Sequence, residues 1–100
     1  MKPPPELDGA RVLEWAWSDE MFGIVNFSNG KVAAIIHGLA ICQYTNDPRV
    51  YRFSCDHQWS VYQDQIYDSV QEAKDHLPEQ YRLVQAQWNI IPSKLTAQSS

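Results

Sequence analysis

Hydrophobic and polar residues alternate along much of this chain with the period of two that a half-buried β-strand requires. Over residues 11–17 the apolar Leu13, Trp15 and Trp17 fall on one face, and Ser18-Asp19-Glu20 closes the segment as a turn. Residues 22–28 read as a second strand, ended by Asn29-Gly30. Asn-Gly suits the two positive φ angles of a type I′ hairpin turn. The chain then returns through Lys31 into Val32-Ala33-Ala34-Ile35-Ile36, the longest apolar run in the sequence. Being apolar on both faces, this run is expected in the middle of a sheet. Gly38 interrupts it as a bulge or bend, with residues 39–44 extended beyond. A helix over residues 32–42 is the competing pattern, but the β-branched residues and the Asn-Gly turn favour strand.

Thr45-Asn46-Asp47-Pro48 is a turn. Residues 49–55 alternate again, with Tyr51 and Phe53 on one side, and Asp56-His57-Gln58 turns the chain into a further strand over residues 59–62. The clearest local motif is Ser69-Val70-Gln71-Glu72, a capping box. The Ser hydroxyl accepts from a free amide of the first turn and the Glu side chain reaches back. Val70, Ala73 and Leu77 then recur at helical spacing, and Pro78 sets the far boundary near Leu77. So short a helix needs packing against a sheet to persist. The segment after Pro78 fits two patterns. Val84, Ala86, Trp88 and Ile90 alternate as a strand over residues 82–91, the favoured reading, while Pro78 also suits the first position of a second helix sharing Tyr81, Val84 and Trp88 on one face.

These elements predict an α+β fold. An antiparallel, hairpin-rich sheet of about five to six strands carries one short helix, over residues 70–77, on one face, with a C-terminal strand. The Pro-Pro-Pro start predicts an extended arm over residues 1–9. The single domain is expected over residues 10–92 and a small, polar, flexible tail over residues 93–100.

Composition changes this picture in three ways. The chain is 44% hydrophobic, enough for a core, so it is not a disordered protein. Two cysteines are too few for a disulfide scaffold. With no apolar run after the Met-Lys-Pro start, they read as reduced thiols in a cytoplasmic protein. No segment approaches the length of a membrane span. Net charge is −4 without a basic cluster, which disfavours nucleic acid and anionic membranes as partners.

Few residues form a chemical constellation. Cys55-Asp56-His57 places a thiol near an imidazole, but the simpler reading is a strand end followed by a turn. His37, Cys42, Cys55 and His57 lack the close pairs that mark zinc sites. Asp19-Glu20 and the Asp64/Asp68 pair read as solvated loop carboxylates. No phosphate loop or nucleophile motif occurs, so no catalytic residue, metal or cofactor is expected.

The position of the charge says more than its total. Residues 56–80 hold six acids against Lys74 alone, a net charge of −5, and the rest of the chain is close to neutral. Trp59, Tyr62, Ile66 and Tyr67 are interleaved with those acids. Acids steer a basic partner and aromatic anchors hold it. Helix-dipole stabilisation accounts for Asp68 and Glu72 without a partner. The function expected is a non-catalytic protein-binding module, of the inhibitor, antitoxin or immunity type. Its binding set is Asp56, Trp59, Tyr62, Asp64, Tyr67, Asp68, Glu72 and Asp75, and its partner a basic protein. One alternative is a ligand-binding or enzymatic domain with a pocket between sheet and helix, lined by Trp15, Trp17, His37, Tyr51 and Trp88. The other is a homodimer or larger homo-oligomer joined through a sheet edge or an exposed Trp patch.

Overall fold

The computed structural model describes residues 1–92; the expected tail lies outside them. The chain runs through β1 (Glu6–Leu7), β2 (Ala10–Trp17), β3 (Gly23–Asn26), β4 (Val32–Ile36), β5 (Gly38–Gln43), β6 (Val50–Cys55) and β7 (Val61–Tyr67). Helix α1 (Val70–Asp75), a 3-10 turn (Glu79–Leu83) and β8 (Asn89–Ile90) follow. One antiparallel sheet takes the order β1-β2-β5-β6-β7, and β8 pairs with β2 at Glu14 and Trp15. Strands β3 and β4 form a separate two-stranded hairpin. The architecture is the expected α+β fold, a curled antiparallel sheet with a small helix and a C-terminal strand. Among the described residues no helix is long and apolar enough to cross a membrane.

The sheet begins before the Ala10 boundary read from the sequence. Glu6 and Leu7 pair with Arg11 and Ala10, and Leu7 is buried in the core. The turn between them places Asp8 and Gly9 at positive φ. A proline-rich start therefore leads directly into a hairpin.

The middle of the sheet is β5, not the run 32–36. Residues Gly38 to Cys42 are all buried, because β2 and β6 flank β5 and both of its faces are covered. The apolar run at Val32–Ile36 instead pairs only with β3, leaving Val32 and Ile35 exposed. What divides the two strands is Gly38. A Cβ there would lie 2.6 Å from the ring of Trp59, so only glycine lets the chain pass beneath that side chain. The turn at the tip of the β3–β4 hairpin also differs from the expected type I′. Gly30 N–H donates to Phe27 C=O (2.9 Å), Phe27 N–H to Lys31 C=O (2.7 Å), and only Gly30 has positive φ. This is a type I turn closed by a left-handed glycine.

A bulge in β2 decides which residues share a face. The register slips between Val12 and Glu14, so the parity of the strand reverses there. Leu13 consequently packs with Ile41, Val50 and Ala73, whereas Trp15 and Trp17 pack on the opposite face with Ala40, Phe53 and Trp59. The expected common face of Leu13, Trp15 and Trp17 does not form.

On the Leu39/Ile41 face lie α1, the 3-10 turn and Trp88. The Ser69 half of the capping box forms, its Oγ accepting from Glu72 N–H (3.1 Å), while Glu72 Oε2 reaches one residue further back and accepts from Asp68 N–H (3.2 Å). The helix ends at Asp75, two residues short of the expected limit, with His76 as its C-cap. Only Ala73 of the helix is buried, so an apolar stripe does not hold it. Polar contacts do. Arg52, 2% exposed, donates to Ala73 C=O (2.8 Å) and lies 5.1 Å from the centre of the Tyr67 ring. Lys74 forms an ion pair with Glu14 from β2. Tyr81 is buried and its hydroxyl donates to Ser54 Oγ (3.2 Å). After Pro78 each of the two sequence patterns holds in part: a helical turn comes first, and strand pairing is confined to β8.

Two outcomes test this account. Gly38→Ala should lower stability by about 1–3 kcal/mol through forced displacement of Trp59, read by urea denaturation followed by Trp fluorescence. Lys74→Ala strands the Glu14 carboxylate and should cost about 2–3 kcal/mol, whereas the paired change Glu14→Leu/Lys74→Met should recover most of that loss.

Candidate functional site

Strand β7 is the outer strand of the sheet. Its register against β6 sets Asp64 opposite Phe53, Ile66 opposite Tyr51 and Gln65 opposite Arg52. The loop expected at residues 64–68 is not present: Asp64 to Tyr67 belong to this strand. Side chains from Tyr62 through Ile66 are exposed, and only the strand ends are partly covered. Asp64 and Ile66 share a face by the two-residue period. Tyr62 falls in a bulge, because Gln63 pairs with Ser54 and Val61 with Cys55. Tyr62 and Ile66 are 45% and 46% exposed, so the strand carries two large apolar side chains on either side of one carboxylate.

The remaining members of the expected binding set have differing positions. Asp56 builds the turn before β7: its Oδ1 accepts from Gln58 N–H (2.9 Å) and Ser60 N–H (3.0 Å). Trp59 sits in that turn at a φ of 63° and is buried. Its ring meets Trp15 edge-on at 6.2 Å and Trp17 at 5.6 Å, so it is a core residue and presents no ring to a partner. Tyr67 is half-buried between the Arg52 guanidinium and His76, whose ring stacks on it at 5.8 Å. Asp68 and Glu72 are exposed and complete the helix cap. Asp75 is exposed at the helix end and accepts from Gln71 Nε2 (2.9 Å). The structure thus gathers Tyr62, Asp64 and Ile66 on β7, with Asp56 at one end and Asp68 and Glu72 at the other. Ile66, outside the expected set, is exposed beside Asp64, and its place two positions beyond it is a strand-period signal.

The cations near this edge are already engaged. Arg49 pairs with Asp47 at 3.3 Å, Lys74 with Glu14, and Arg52 is buried under α1. Among the described residues Asp64 makes no ion pair.

Other constellations carry less. Cys42 and Cys55 are both fully buried. Burial, assisted by the charge of Asp8, pushes the Cys42 thiol up to about 12, and burial likewise pushes the Cys55 thiol up. Neither thiol becomes a thiolate at neutral pH. Exposed His57 lies beyond the strand end, and His37 is held by the Ser18 carbonyl (2.9 Å) and stacked on Trp17. Among the described residues no three His, Cys, Asp or Glu side chains are grouped as a metal site would need. The residues proposed to line a pocket between sheet and helix separate: Trp15, Trp17 and Tyr51 pack on one face of the sheet, Trp88 on the other. A groove of about 330 Å³ runs between β4 and the turn before β7, lined by Val32, Ile35, His37, His57 and Tyr62.

Both thiols should be inert to an aromatic disulfide reagent at pH 8 in the native protein and react fully in denaturant. Their raised pKa values also mean that the folded state holds these protons longer than the unfolded chain does. Stability should therefore fall as pH rises from the ordinary thiol value of 9.0 toward about 12, a slope that Cys42→Ala reduces.

No family model matches this chain, and neither the curated proteins nor the solved structures contain a match to it.

Proposed function

We propose that this chain is a non-catalytic protein-binding module, of the inhibitor, antitoxin or immunity type, that meets a basic partner with the acidic outer strand β7 and its flanking turns. The observation that carries this reading is Asp64, exposed between Tyr62 and Ile66 on an uncovered strand while the neighbouring cations are bound elsewhere. An exposed carboxylate between two large apolar side chains offers both steering and contact area. The thiols are protonated and buried, and the carboxylates of Asp56 and Glu72 are occupied in building a turn and a cap. Those roles favour binding over catalysis, and the charge they leave at the surface adds to the field around Asp64.

Affinity capture on the purified protein at low salt, compared with the Asp64→Lys/Asp68→Lys variant, tests the reading. A basic protein retained in near-equal amount by the first and lost by the second is expected. Its association rate should fall at least about tenfold on charge reversal and also fall as salt is raised. Equal retention and equal rates for the two forms would remove the acidic face from the account.

A further inference from the structure

Strand β7 offers more than side chains. In an antiparallel pair, alternate residues turn their N–H and C=O groups toward the partner strand and the others turn theirs away. Among the described residues β7 pairs with β6 alone, and no other backbone group bonds to Val61–Tyr67. Among the described residues its outward-turned groups therefore face solvent, in regular alternation from Gln63 to Tyr67. At the opposite side of the sheet, β1 and β8 both pair along β2. Edges as long as β7 are ordinarily blunted by lysine, proline or a covering element. This strand, Val-Tyr-Gln-Asp-Gln-Ile-Tyr, has neither lysine nor proline, Asp64 is its only charge, and its one bulge, at Tyr62, leaves the ladder regular from Gln63 to Tyr67.

We propose that β7 takes its partner by strand addition. An extended segment of a basic protein runs antiparallel to Val61–Tyr67, with Lys or Arg opposite Asp64 and an apolar residue opposite Ile66. This rests on the protein-binding reading above and adds to it the mode of binding and the sequence pattern of the partner. Main-chain hydrogen bonds supply affinity, and the side chains at alternate positions supply selectivity. Asp64 and Ile66 share one face of β7, so the complementary residues on the incoming strand are two apart. An opposite-charge pair and an apolar pair, directly across from one another, each stabilise such a pairing. A second copy of this chain fits the edge poorly. Two β7 strands paired antiparallel about their centre would set the two Asp64 carboxylates face to face, and like charges directly opposite destabilise a sheet. The same carboxylate that attracts a basic strand thus disfavours self-pairing.

The probe is a synthetic peptide, acetyl-Lys-Val-Thr-Lys-Thr-Val-Lys-amide, and the same peptide N-methylated at its central Thr-Lys-Thr. Methylation keeps the charge and side chains and removes the backbone donors. Binding to the full chain is read by titration calorimetry, and the bound edge by amide hydrogen exchange. The expected result is binding of the unmethylated peptide with new exchange protection confined to β7. The methylated form should bind about tenfold more weakly or worse. Asp64→Lys, with an unchanged circular dichroism spectrum, should lose the binding. If both peptides bind equally without protecting β7 amides, strand addition is overturned while recognition by acidic side chains stands. If neither binds at low salt, both readings fall. If β7 amides are already protected without peptide in a species that sediments as a dimer, the occupant is a second copy and the proposal is overturned.

Discussion

The ring of Trp59 lies against Gly38, and most of the architecture follows from that contact. Trp59 belongs to the turn between β6 and β7, while Gly38 begins the central strand β5. A side chain at position 38 would collide with the ring, so the close approach needs glycine. Trp15 and Trp17 close on the same ring from β2, which ties two strands and a turn together. The contact is strong enough to hold Trp59 at a φ of 63°, a conformation that a bulky residue adopts at a cost of about 1–3 kcal/mol. It also leaves the buried indole N–H without a hydrogen-bond partner among the described residues. Aromatic burial offsets both penalties, since a fully covered indole removes a large apolar area from water. The break between β4 and β5 falls at His37, next to this contact.

The other face is organised by charge. Arg52 and Glu14 both stand on β-strands beneath α1, either side of Ile41 in the register. Each is buried, and each is met from the helix, Arg52 by the Ala73 carbonyl and Glu14 by Lys74. A helix of six residues has little apolar surface to offer, so directed polar contacts fix its position. Arg52 is met by a carbonyl and a ring face and makes no ion pair among the described residues, which confines it more by geometry than by Coulomb attraction. The Tyr67 ring that covers it is the last residue of β7. The outer strand is therefore held at one end by the helix-side polar layer and at the other by the Trp59 turn, and is open between.

That arrangement divides the acidic segment by role. Residues 56–80 are strongly acidic as a string, but the carboxylates do different work in three dimensions. Asp56 folds a turn and Glu72 caps a helix by accepting from Asp68 N–H. Asp64 alone stands within a strand, opposite a buried Phe and free of any intramolecular cation among the described residues. Free charge on an exposed strand, rather than total charge, is what sets Asp64 apart from the other acids of this segment.

Local physics was legible in the sequence, and long-range pairing was not. Alternation located most strands, Ser69 and Glu72 located the helix start, and Gly30 and Pro78 located a hairpin and a boundary. Each signal acts within about four residues, the reach of a cap or a turn. The acidic stretch was equally visible. What the sequence could not contain was which strand lies beside which. Two runs, Val32–Ile36 and Gly38–Gln43, look alike as strings of apolar residues, and only the Trp59–Gly38 contact decides that the second is central. One bulge at Leu13 reversed the faces of β2, because a period of two cannot survive an inserted residue. Trp59 and Tyr62 lie three residues apart, and one became core and the other surface for the same reason. A residue's type sets what it could bury; its neighbours across the sheet set whether it does.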